Sequence, residues 1–267
     1  MEEKVAILGC GWLGFPLARE LKDLGYSING STTSDHKIKT LKDFGINSFL
    51  IKLFEERIKG DMANFLKDVN VLILNFPPNY RENPNQEFIK IINNLSHEIA
   101  KQPNIYVVYV STISVFRKTH PITKYNEEHE PYSEFSKTQQ LIEAEKIILR
   151  LKNKSSILRL GGLIGEDRHP IKYIAGREKL QNANTPINLI HQNDAIDIIK
   201  KLVAQKVRGI FHGVYPKHTS HQEYYSKIAE ERGFSIPNYE KDKDKIGKII
   251  ESNITQQVLG FDYKYEI

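Results

Sequence analysis

Three glycines with the spacing G-x-G-x-x-G occupy positions 9, 11 and 14, directly after the apolar run Val5–Leu8. Gly9 permits a tight turn, Gly11 lets a phosphate approach the backbone, and Gly14 lets a following helix pack closely on the strand. The amino end of that helix would offer N–H groups and a positive dipole to a diphosphate. The spacing therefore predicts a dinucleotide site. The simpler alternative is a glycine-rich turn without a ligand.

The segment after the second predicted strand indicates which dinucleotide the loop would hold. An NAD site commonly places Asp or Glu about 20 residues after the glycines, where the carboxylate binds the ribose hydroxyls. Here residues 30–37 read G-S-T-T-S-D-H-K, with small hydroxyl residues where the acid would stand. His36 and Lys37 offer donors to a 2′-phosphate, whereas Asp35 comes late and is placed to cap the next helix. NADP is therefore favoured over NAD.

Apolar runs of strand length alternate with segments of helical period through the first 160 residues, which is typical of βαβ units and a parallel sheet. A first helix ends at Gly25. The predicted strands are Val5–Leu8, Ser27–Ser31, Asn47–Ile51, Val71–Leu74, Ile105–Val110 and Ser156–Leu160. The further predicted helices are Ser34–Phe44, Gln86–Lys101, Phe135–Lys152 and Asn193–Ala204, the last of them capped by Asn193 or Asp194.

These elements predict an α/β fold: a doubly wound parallel sheet of the Rossmann type with a small C-terminal substrate lobe. We expect residues 1–165 to form the NAD(P)-binding Rossmann domain and residues 166–267 to form the smaller lobe. Within that lobe, residues 190–215 are expected to return to the Rossmann sheet. A doubly wound sheet binds ligands at the carboxyl ends of its strands, so the lobe is expected at that edge.

Composition excludes several other classes of protein. The 267 residues are 40% hydrophobic and 27% charged, as in globular proteins, and the single cysteine, Cys10, can form no internal disulfide. No Cys/His grouping has zinc spacing, so no metal is expected. No run approaches the roughly 18 to 20 apolar residues of a membrane span, and the cytoplasm is the expected location. The 38 basic residues are scattered among 33 acidic ones, as in Lys241–Lys245, so no nucleic acid partner is expected.

Two later segments, V-S-T-I-S-V-F at 110–116 and L-R-L-G-G-L-I-G at 158–165, have a family likeness. They resemble the extended short-chain dehydrogenase/reductases, the group of nucleotide-sugar epimerases and dehydratases, and so does N-L-I-H-Q-N-D at 188–194. The chain is most similar to a bacterial branch of epimerase-like NAD(P)-binding proteins. The shared motifs are G-C-G-W-L-G, G-x-T-T, G-G-x-x-G-x-x-R-H-P and a terminal L-G-F/Y, and they run from Val5 to about Tyr265.

The resemblance implies roles for particular positions. Thr112 matches the family's catalytic Ser/Thr. Ser34 stands where the branch often has an Arg that grips a 2′-phosphate, and this departure counts against NADP. The implied cofactor-binding positions form four groups. The diphosphate would be held by Gly9, Gly11, Trp12, Leu13 and Gly14, and the adenosine ribose would be surrounded by Thr32, Thr33 and Ser34. Two strand ends would contribute Asn75, Phe76 and Pro77 with Ser111, and the nicotinamide end would be approached by Gly161, Gly162 and Leu163.

The usual catalytic tyrosine is missing. In catalytic members of the family a Tyr precedes a Lys by four residues, which places both on one helix face, where the ammonium lowers the pKa of the phenol. Here Ser133 stands four residues before Lys137, and its hydroxyl is too weak an acid to replace the phenol. Tyr132 is about 100° further round a helix that opens at Pro131, so it serves only if the first turn is irregular. Tyr132, Lys137 and Thr112 are the candidate catalytic residues, with Tyr125 as a second candidate acid.

Arg168 and His169 follow the turn at Gly165 and are candidates for binding an anionic group of the substrate, although solvated surface residues are the simpler interpretation. Two functional hypotheses follow. The first is an NAD(P)-dependent epimerase/dehydratase-like or reductase enzyme that acts on a polar, nucleotide-linked small molecule. The second is a non-catalytic NAD(P)-dependent sensor or regulatory protein. The absent Tyr favours the sensor, and the retained Thr112 and Lys137 favour the enzyme. The sequence leaves a homodimer open.

Overall fold

The computed structural model describes residues 3–240 and 246–267, so the segment Lys241–Lys245 with its alternating charges lies outside the described residues. The strands are β1 (Lys4–Leu8), β2 (Ser27–Thr32), β3 (Asn47–Leu50), β4 (Lys52–Leu53), β5 (Ile58–Lys59), β6 (Val71–Leu74), β7 (Tyr106–Thr112), β8 (Thr123–Tyr125), β9 (Ser155–Leu160), β10 (Gly162–Ile164), β11 (Leu189–His191), β12 (Gly209–Gly213) and β13 (Lys248–Ile250). The helices are α1 (Gly14–Asp23), α2 (Asp35–Asp43), α3 (Met62–Leu66), α4 (Phe88–Ala100), α5 (Ser136–Arg150), α6 (Ile171–Ile174), α7 (Gln192–Gln205), α8 (His221–Glu231) and α9 (Asn253–Leu259).

Seven strands form one parallel sheet in the order β12-β9-β7-β6-β1-β2-β3, which confirms the predicted doubly wound fold. Its central strands are continuous apolar runs because helices cover both faces of a parallel sheet. All four residues of β6 are buried, and Val5 to Leu8 of β1 are buried beside them. Since β1 pairs with β2 on one side and with β6 on the other, the strand order reverses at β1. Such a reversal opens a crevice at the carboxyl ends of the strands.

The predicted strands and helices are found within a few residues of their predicted bounds, with two differences that matter for function. Helix α5 begins at Ser136, so Tyr132 and Ser133 precede the helix and do not lie in its first turn. Helix α7 begins at Gln192, so neither Asn193 nor Asp194 is its cap. The carboxylate of Asp194 instead accepts the backbone N–H groups of residues 264 and 265, at 3.1 and 3.2 Å.

The chain divides into two compact units. Unit 1 comprises Met1–Thr112, Glu134–Arg159 and Ile196–Ile210, and unit 2 comprises Ile113–Ser133, Leu160–Ala195 and Phe211–Ile267. Unit 2 therefore contains residues on both sides of position 165, the boundary predicted from the sequence. Within the described part of the chain, no helix is both long enough and apolar enough to cross a membrane.

Unit 2 has a core of its own. Parallel strands β10 and β11 pair from Gly162 with Leu189 to Ile164 with His191, and helices α6 and α8 pack nearby. A second parallel pair joins β13 to β8. The apolar side chains that fill this core include Ile164, Ile171, Ile187, Leu189, Tyr224, Tyr225, Ile228 and Ala229.

A buried ion pair in unit 1 fixes the end of β7. Arg159 on β9 and Glu145 on α5 have side chains only 1% and 3% exposed, and their closest N–O distance is 2.8 Å. The Arg159 Nε also donates to both carboxylate oxygens, and Ser111 donates its hydroxyl to Glu145 Oε1 at 2.5 Å. Every charge in this group is compensated, which is the condition for tolerating a carboxylate inside a protein.

Removing one partner should therefore be costly. We expect Arg159→Met to lower the free energy of unfolding by about 3–5 kcal/mol, because it leaves the Glu145 charge buried and unpaired. Urea denaturation followed by circular dichroism measures the change. The matched control is Arg150→Met, which breaks the solvent-exposed pair with Glu143 and should cost less than about 1 kcal/mol. Equal losses in the two variants would contradict the interpretation.

Candidate functional site

A cleft of about 550 Å³ lies in unit 1 at the carboxyl ends of β1, β2 and β6. This volume is in the range of small-molecule sites, and the position is the one where doubly wound sheets bind ligands. Among the residues that the structure describes, no Asp or Glu lines the cleft. Its lining residues are Gly9, Cys10, Gly11, Thr32, Thr33, Ser34, Lys37, Leu53, Phe54, Asn75, Phe76, Pro77, Pro78, Asn79, Asn83, Gln86, Phe88 and Ile91.

The three glycines of the loop have different structural roles. A Cβ on Gly9, where φ is +110°, would lie 2.2 Å from the carbonyl oxygen of Asn75, and a Cβ on Gly14 would lie 2.2 Å from the carbonyl oxygen of Gly9. A Cβ on Gly11 would meet no protein atom within 4 Å. The protein's own packing therefore requires glycine at positions 9 and 14. At position 11 the space that a side chain would fill is open to the cleft, as the fit of a diphosphate requires.

Ser31 and Asn75 hold the loop in this shape. Gly9 N–H donates to Ser31 Oγ at 3.0 Å, and Cys10 N–H donates to the Ser31 carbonyl at 2.8 Å. Asn75 Nδ2 donates to the Gly9 carbonyl at 2.9 Å. Burial raises the pKa of the Cys10 thiol to about 12, so this residue is a neutral filler of the loop. Sequence reasoning missed Ser31, although its place at the end of β2 and beside Gly30 was a usable signal.

The far side of β2 forms the part of the cleft where an adenosine ribose would lie. The Ser34 N–H donates to Thr32 Oγ1 at 3.1 Å, and the Lys37 N–H donates to the Ser34 carbonyl at 3.1 Å. These bonds fold the T-T-S segment into the start of α2 and bring Lys37, in the first turn, to the cleft wall. Asp35 is not among the lining residues.

An apolar wall completes the cleft, and no sequence pattern predicted it. Phe54 follows β4 and is 44% exposed, while Phe76 contacts Phe88 edge to face, with ring centroids 6.0 Å apart. Beside them the amides of a polar loop are fixed by internal hydrogen bonds, including one of 2.7 Å from the Asn79 N–H to Gln86 Oε1. The strands that present Phe54 are two residues long, too short for a periodic signal.

The structure brings many of the predicted cofactor-binding residues together. Gly9, Gly11, Thr32, Thr33, Ser34, Asn75, Phe76 and Pro77 all line the cleft. The other predicted residues of unit 1 do not line it. Gly14 is buried at the start of α1 and Leu13 as its N-cap, Trp12 is partly exposed in the loop, and Ser111 is bound to Glu145.

The candidate catalytic residues have different surroundings. Thr112 ends β7 and is partly exposed, and Lys137 lies in the first turn of α5 with its Nζ 5.3 Å from the ring centroid of Tyr80. Tyr132 is 58% exposed, and the Arg117 guanidinium lies 5.7 Å from its ring centroid. Because Tyr132 precedes α5, the helical-face comparison made from the sequence does not apply to it. Tyr125 is buried and stacked on Phe116, which fits a packing role.

The G-G pair of unit 2 lies where two backbones approach closely. A Cβ on Gly161 would lie 2.8 Å from the Asn188 carbonyl oxygen, and a Cβ on Gly162 would lie 2.7 Å from Leu189 Cδ2. Leu163 follows them in β10 and is partly exposed. The backbone packing of unit 2 thus accounts for Gly161, whereas a Cβ on Gly162 would overlap only the end of a side chain, and the part that both play at the nicotinamide end stays a prediction.

The two residues predicted to bind an anion differ in exposure. Arg168 is exposed, whereas His169 is only 1% exposed. The Ile171 N–H donates to His169 Nδ1 at 3.2 Å, and Nε2 lies 2.9 Å from the Tyr224 hydroxyl. Burial, with Arg232 and Lys172 nearby, lowers the pKa of His169 to about 4. Both ring nitrogens have partners within unit 2 and the side chain is buried, which fits a packing role, and binding of an anion by His169 stays a prediction.

No protein-family model matches the chain. Protein YeeZ of Escherichia coli K12 is 30% identical over 273 residues, which cover 98% of this chain and 96% of that protein. The chain belongs to the YeeZ family. Its fold is that of the extended short-chain dehydrogenase/reductases, as predicted from its motifs. Among solved structures, UDP-glucuronic acid 4-epimerase from Bacillus cereus, in complex with NAD, has a TM-score of 0.78 at 13% identity, covering 98% of this chain and 92% of that chain.

The human epimerase family protein SDR39U1, solved with NADPH, has a TM-score of 0.73 at 15% identity, covering 98% of this chain and 95% of that chain. The two likenesses extend over nearly the whole YeeZ-family chain. At these identities they establish the architecture, while the residues of the cleft have to carry any argument about its ligand.

The glycine loop yields a paired test. We expect Gly11→Ala to leave the free energy of unfolding within about 0.5 kcal/mol of the wild type, because its methyl group meets open space, and to weaken dinucleotide binding at least about tenfold. Gly14→Ala should destabilise the fold itself by about 1–3 kcal/mol, because its methyl group overlaps the Gly9 carbonyl. Urea denaturation and a nucleotide titration measure the two effects. Equal dinucleotide affinity in Gly11→Ala and wild type would contradict the assignment of the loop.

The buried His169 should make unit 2 sensitive to acid. Its pKa is lowered from 6.5 to about 4 on folding, so the unfolded chain binds the proton more tightly across that window. The stability that His169 contributes is complete above pH 6.5 and is lost as the pH falls through about 4. We expect His169→Gln to be less stable at pH 7 and to vary less between these pH values, measured by urea denaturation. The exposed-site control, His129→Gln, should keep the wild-type pH dependence.

Proposed function

We propose that the protein binds NADP(H) in the unit 1 cleft and catalyses an epimerase/dehydratase-like or reductase reaction on a polar, nucleotide-linked small molecule. The observation that carries this proposal is the open space beside Gly11, in a loop whose other two glycines are required by packing. A loop closed by side chains would have argued for a turn with no ligand. Relatives of the same fold that were solved with NAD and with NADPH support the class of cofactor.

The charges of the cleft favour the phosphorylated dinucleotide. No carboxylate lines the cleft among the described residues, and Lys37 places an ammonium on its wall beside Thr33 and Ser34. A carboxylate there would repel a 2′-phosphate, whereas an ammonium attracts it. Lys37 thus takes the part that an Arg at position 34 plays in related proteins.

Each residue then has a chemical task. The loop at residues 9–14 and the amino end of α1 hold the diphosphate through backbone N–H groups. When bound, the nicotinamide supplies the hydride acceptor or donor. In our proposal Thr112 hydrogen-bonds the substrate hydroxyl or carbonyl, and Lys137 donates to the cofactor ribose as a charged group. Arg168 is the exposed cation proposed to bind an anionic group of the substrate.

One observation favours the second hypothesis, a sensor that binds NADP(H) without catalysis. Helix α5 begins after Ser133, so no tyrosine occupies the helical position four residues before Lys137. A protein that had lost the acid would retain cofactor binding and lose hydride transfer. Binding and turnover therefore have to be measured separately.

Cofactor binding has a built-in reporter, because Trp12 is the one tryptophan of the sequence and lies in the glycine loop. We expect NADPH to quench its fluorescence and to bind more tightly than NADH. Lys37→Glu should weaken NADPH binding at least about tenfold and leave NADH binding nearly unchanged, since only the 2′-phosphate meets the new charge. Lys39→Glu, on the same helix but away from the cleft, is the control of equal charge. The same loss in both variants would contradict the role of Lys37.

Turnover separates the enzyme from the sensor. We expect the purified protein with NADP(H) to oxidise or reduce its cofactor, or to change the sugar stereochemistry, with at least one member of a panel of UDP- and dTDP-sugars. Absorbance at 340 nm and proton NMR follow the two outcomes. Thr112→Ala should lower turnover at least about 100-fold without changing NADPH affinity. Tight NADPH binding with no turnover on the panel would favour the sensor and overturn the enzyme.

A further inference from the structure

A half-buried lysine in unit 2 contacts the turn that directly follows Thr112. Lys248 is the first residue of β13, and it lies opposite Thr123 of β8. Its Nζ donates to the carbonyl oxygens of Ile113 and Phe116, at 2.7 and 2.6 Å. These two carbonyls belong to the short 3₁₀ helix Ile113–Val115 and to the residue after it.

The residues that Lys248 contacts form a single 3₁₀ turn. A backbone bond from the Phe116 N–H to the Ile113 carbonyl, at 3.2 Å, closes it. Short 3₁₀ helices have poor hydrogen-bond geometry. The Lys248 ammonium adds two charge-assisted bonds, one to the Ile113 carbonyl, which also accepts the Phe116 N–H, and one to the Phe116 carbonyl, and such bonds are stronger than neutral ones. Lys248 therefore contributes to the order of the turn.

The strand that carries Lys248 is held in place without its side chain. The Thr119 N–H donates to the Gly247 carbonyl at 2.8 Å, and the Gly247 N–H donates back at 3.1 Å. The ladder between β13 and β8 continues to Ile250 and Tyr125. Loss of the Lys248 amine should leave these backbone pairs intact, so the side chain can be tested apart from the strand.

The charge of Lys248 is held by carbonyl dipoles. No ion pair among the described residues includes it; the nearby Lys124 and Glu251 are 3.9 Å from each other. Burial, together with Lys118, lowers the pKa of Lys248 to about 8. Removing an ammonium from water costs free energy, and a position on the surface would avoid that cost. A lysine kept in this partly buried position despite that cost indicates that its ammonium holds neighbouring groups in place.

We propose that Lys248 is a positioning residue for Thr112, because it anchors the turn whose first residue is covalently joined to Thr112. The anchor holds the residue that follows Thr112, while the Ser111–Glu145 bond holds the residue before it, and together they constrain the direction of the Thr112 side chain. This inference rests on the proposed function, in which Thr112 hydrogen-bonds the substrate. The role of Lys248 in the turn can nevertheless be measured without any substrate.

The test replaces the amine and then restores it. Lys248→Met keeps the length of the side chain and removes the donor. Lys248→Cys alkylated with 2-bromoethylamine restores an amine at nearly the same place, and Cys10 stays unmodified because it is buried with a raised thiol pKa. Lys124→Met, on the neighbouring strand β8, is the control. Hydrogen–deuterium exchange reports the turn, and the methyl NMR signal of Thr112, assigned with Thr112→Val, reports the side chain.

We expect Lys248→Met to lower the protection of residues 113–116 at least about tenfold, to shift the Thr112 methyl signal, and to leave NADPH affinity within about twofold. Aminoethylation should restore both signals, and Lys124→Met should change neither. Unchanged protection or an unchanged Thr112 signal in Lys248→Met overturns the proposal. So does a change that aminoethylation does not restore, because the amine is then not the cause.

Turnover adds a readout that distinguishes the two proposals. If the enzyme hypothesis holds, Lys248→Met should lower kcat at least about tenfold with KM within about threefold, because the misplaced group acts mainly in the transition state. A normal kcat beside a shifted Thr112 signal overturns the positioning role. Absence of NADPH binding in the wild type contradicts the proposed function. The exchange and NMR results still decide whether Lys248 determines the direction of the Thr112 side chain.

Discussion

The close approach of two strand ends, Gly9 after β1 and Asn75 after β6, is the constraint on which the cleft depends. Asn75 donates its backbone N–H to the Leu8 carbonyl at 2.9 Å, and its side-chain amide donates to the Gly9 carbonyl at the same distance. A side chain at Gly9 or Gly14 would overlap this arrangement. The approach therefore determines where α1 starts, and it leaves the space beside Gly11 free for a ligand.

The charged side chains of unit 1 differ between its interior and its cleft. The buried carboxylate of Glu145 is compensated by Arg159 and Ser111, and no carboxylate reaches the cleft lining among the described residues. Lys37 is thus a cation on the wall of this cleft, and no described carboxylate in the lining would repel an anionic ligand. This arrangement is what the proposal of NADP(H) as the ligand rests on.

The sequence predicted the features that depend on local patterns, and it failed where distant residues decide. Continuous apolar runs identified the central strands, and the glycine spacing identified the loop, because both depend on neighbours in the chain. The burial of His169 depends on Tyr224, 55 residues away, and so no local pattern revealed it. The start of α5 was predicted to within one residue, but the comparison of Tyr132 and Ser133 with Lys137 assumed helical geometry from Pro131, which the structure does not have. Phe54 was missed because its hairpin strands are too short to show a period.

The chain alternates between its two units, and this limits how the protein can recombine with a homologue or be truncated. Six segments alternate between unit 1 and unit 2, so the backbone passes from one to the other at five junctions. A single recombination point within residues 113–210 would combine segments of different origin inside both units. No terminal truncation releases either unit as an unbroken fragment. The interleaved chain path therefore makes each unit depend on segments that are distant from one another in the sequence.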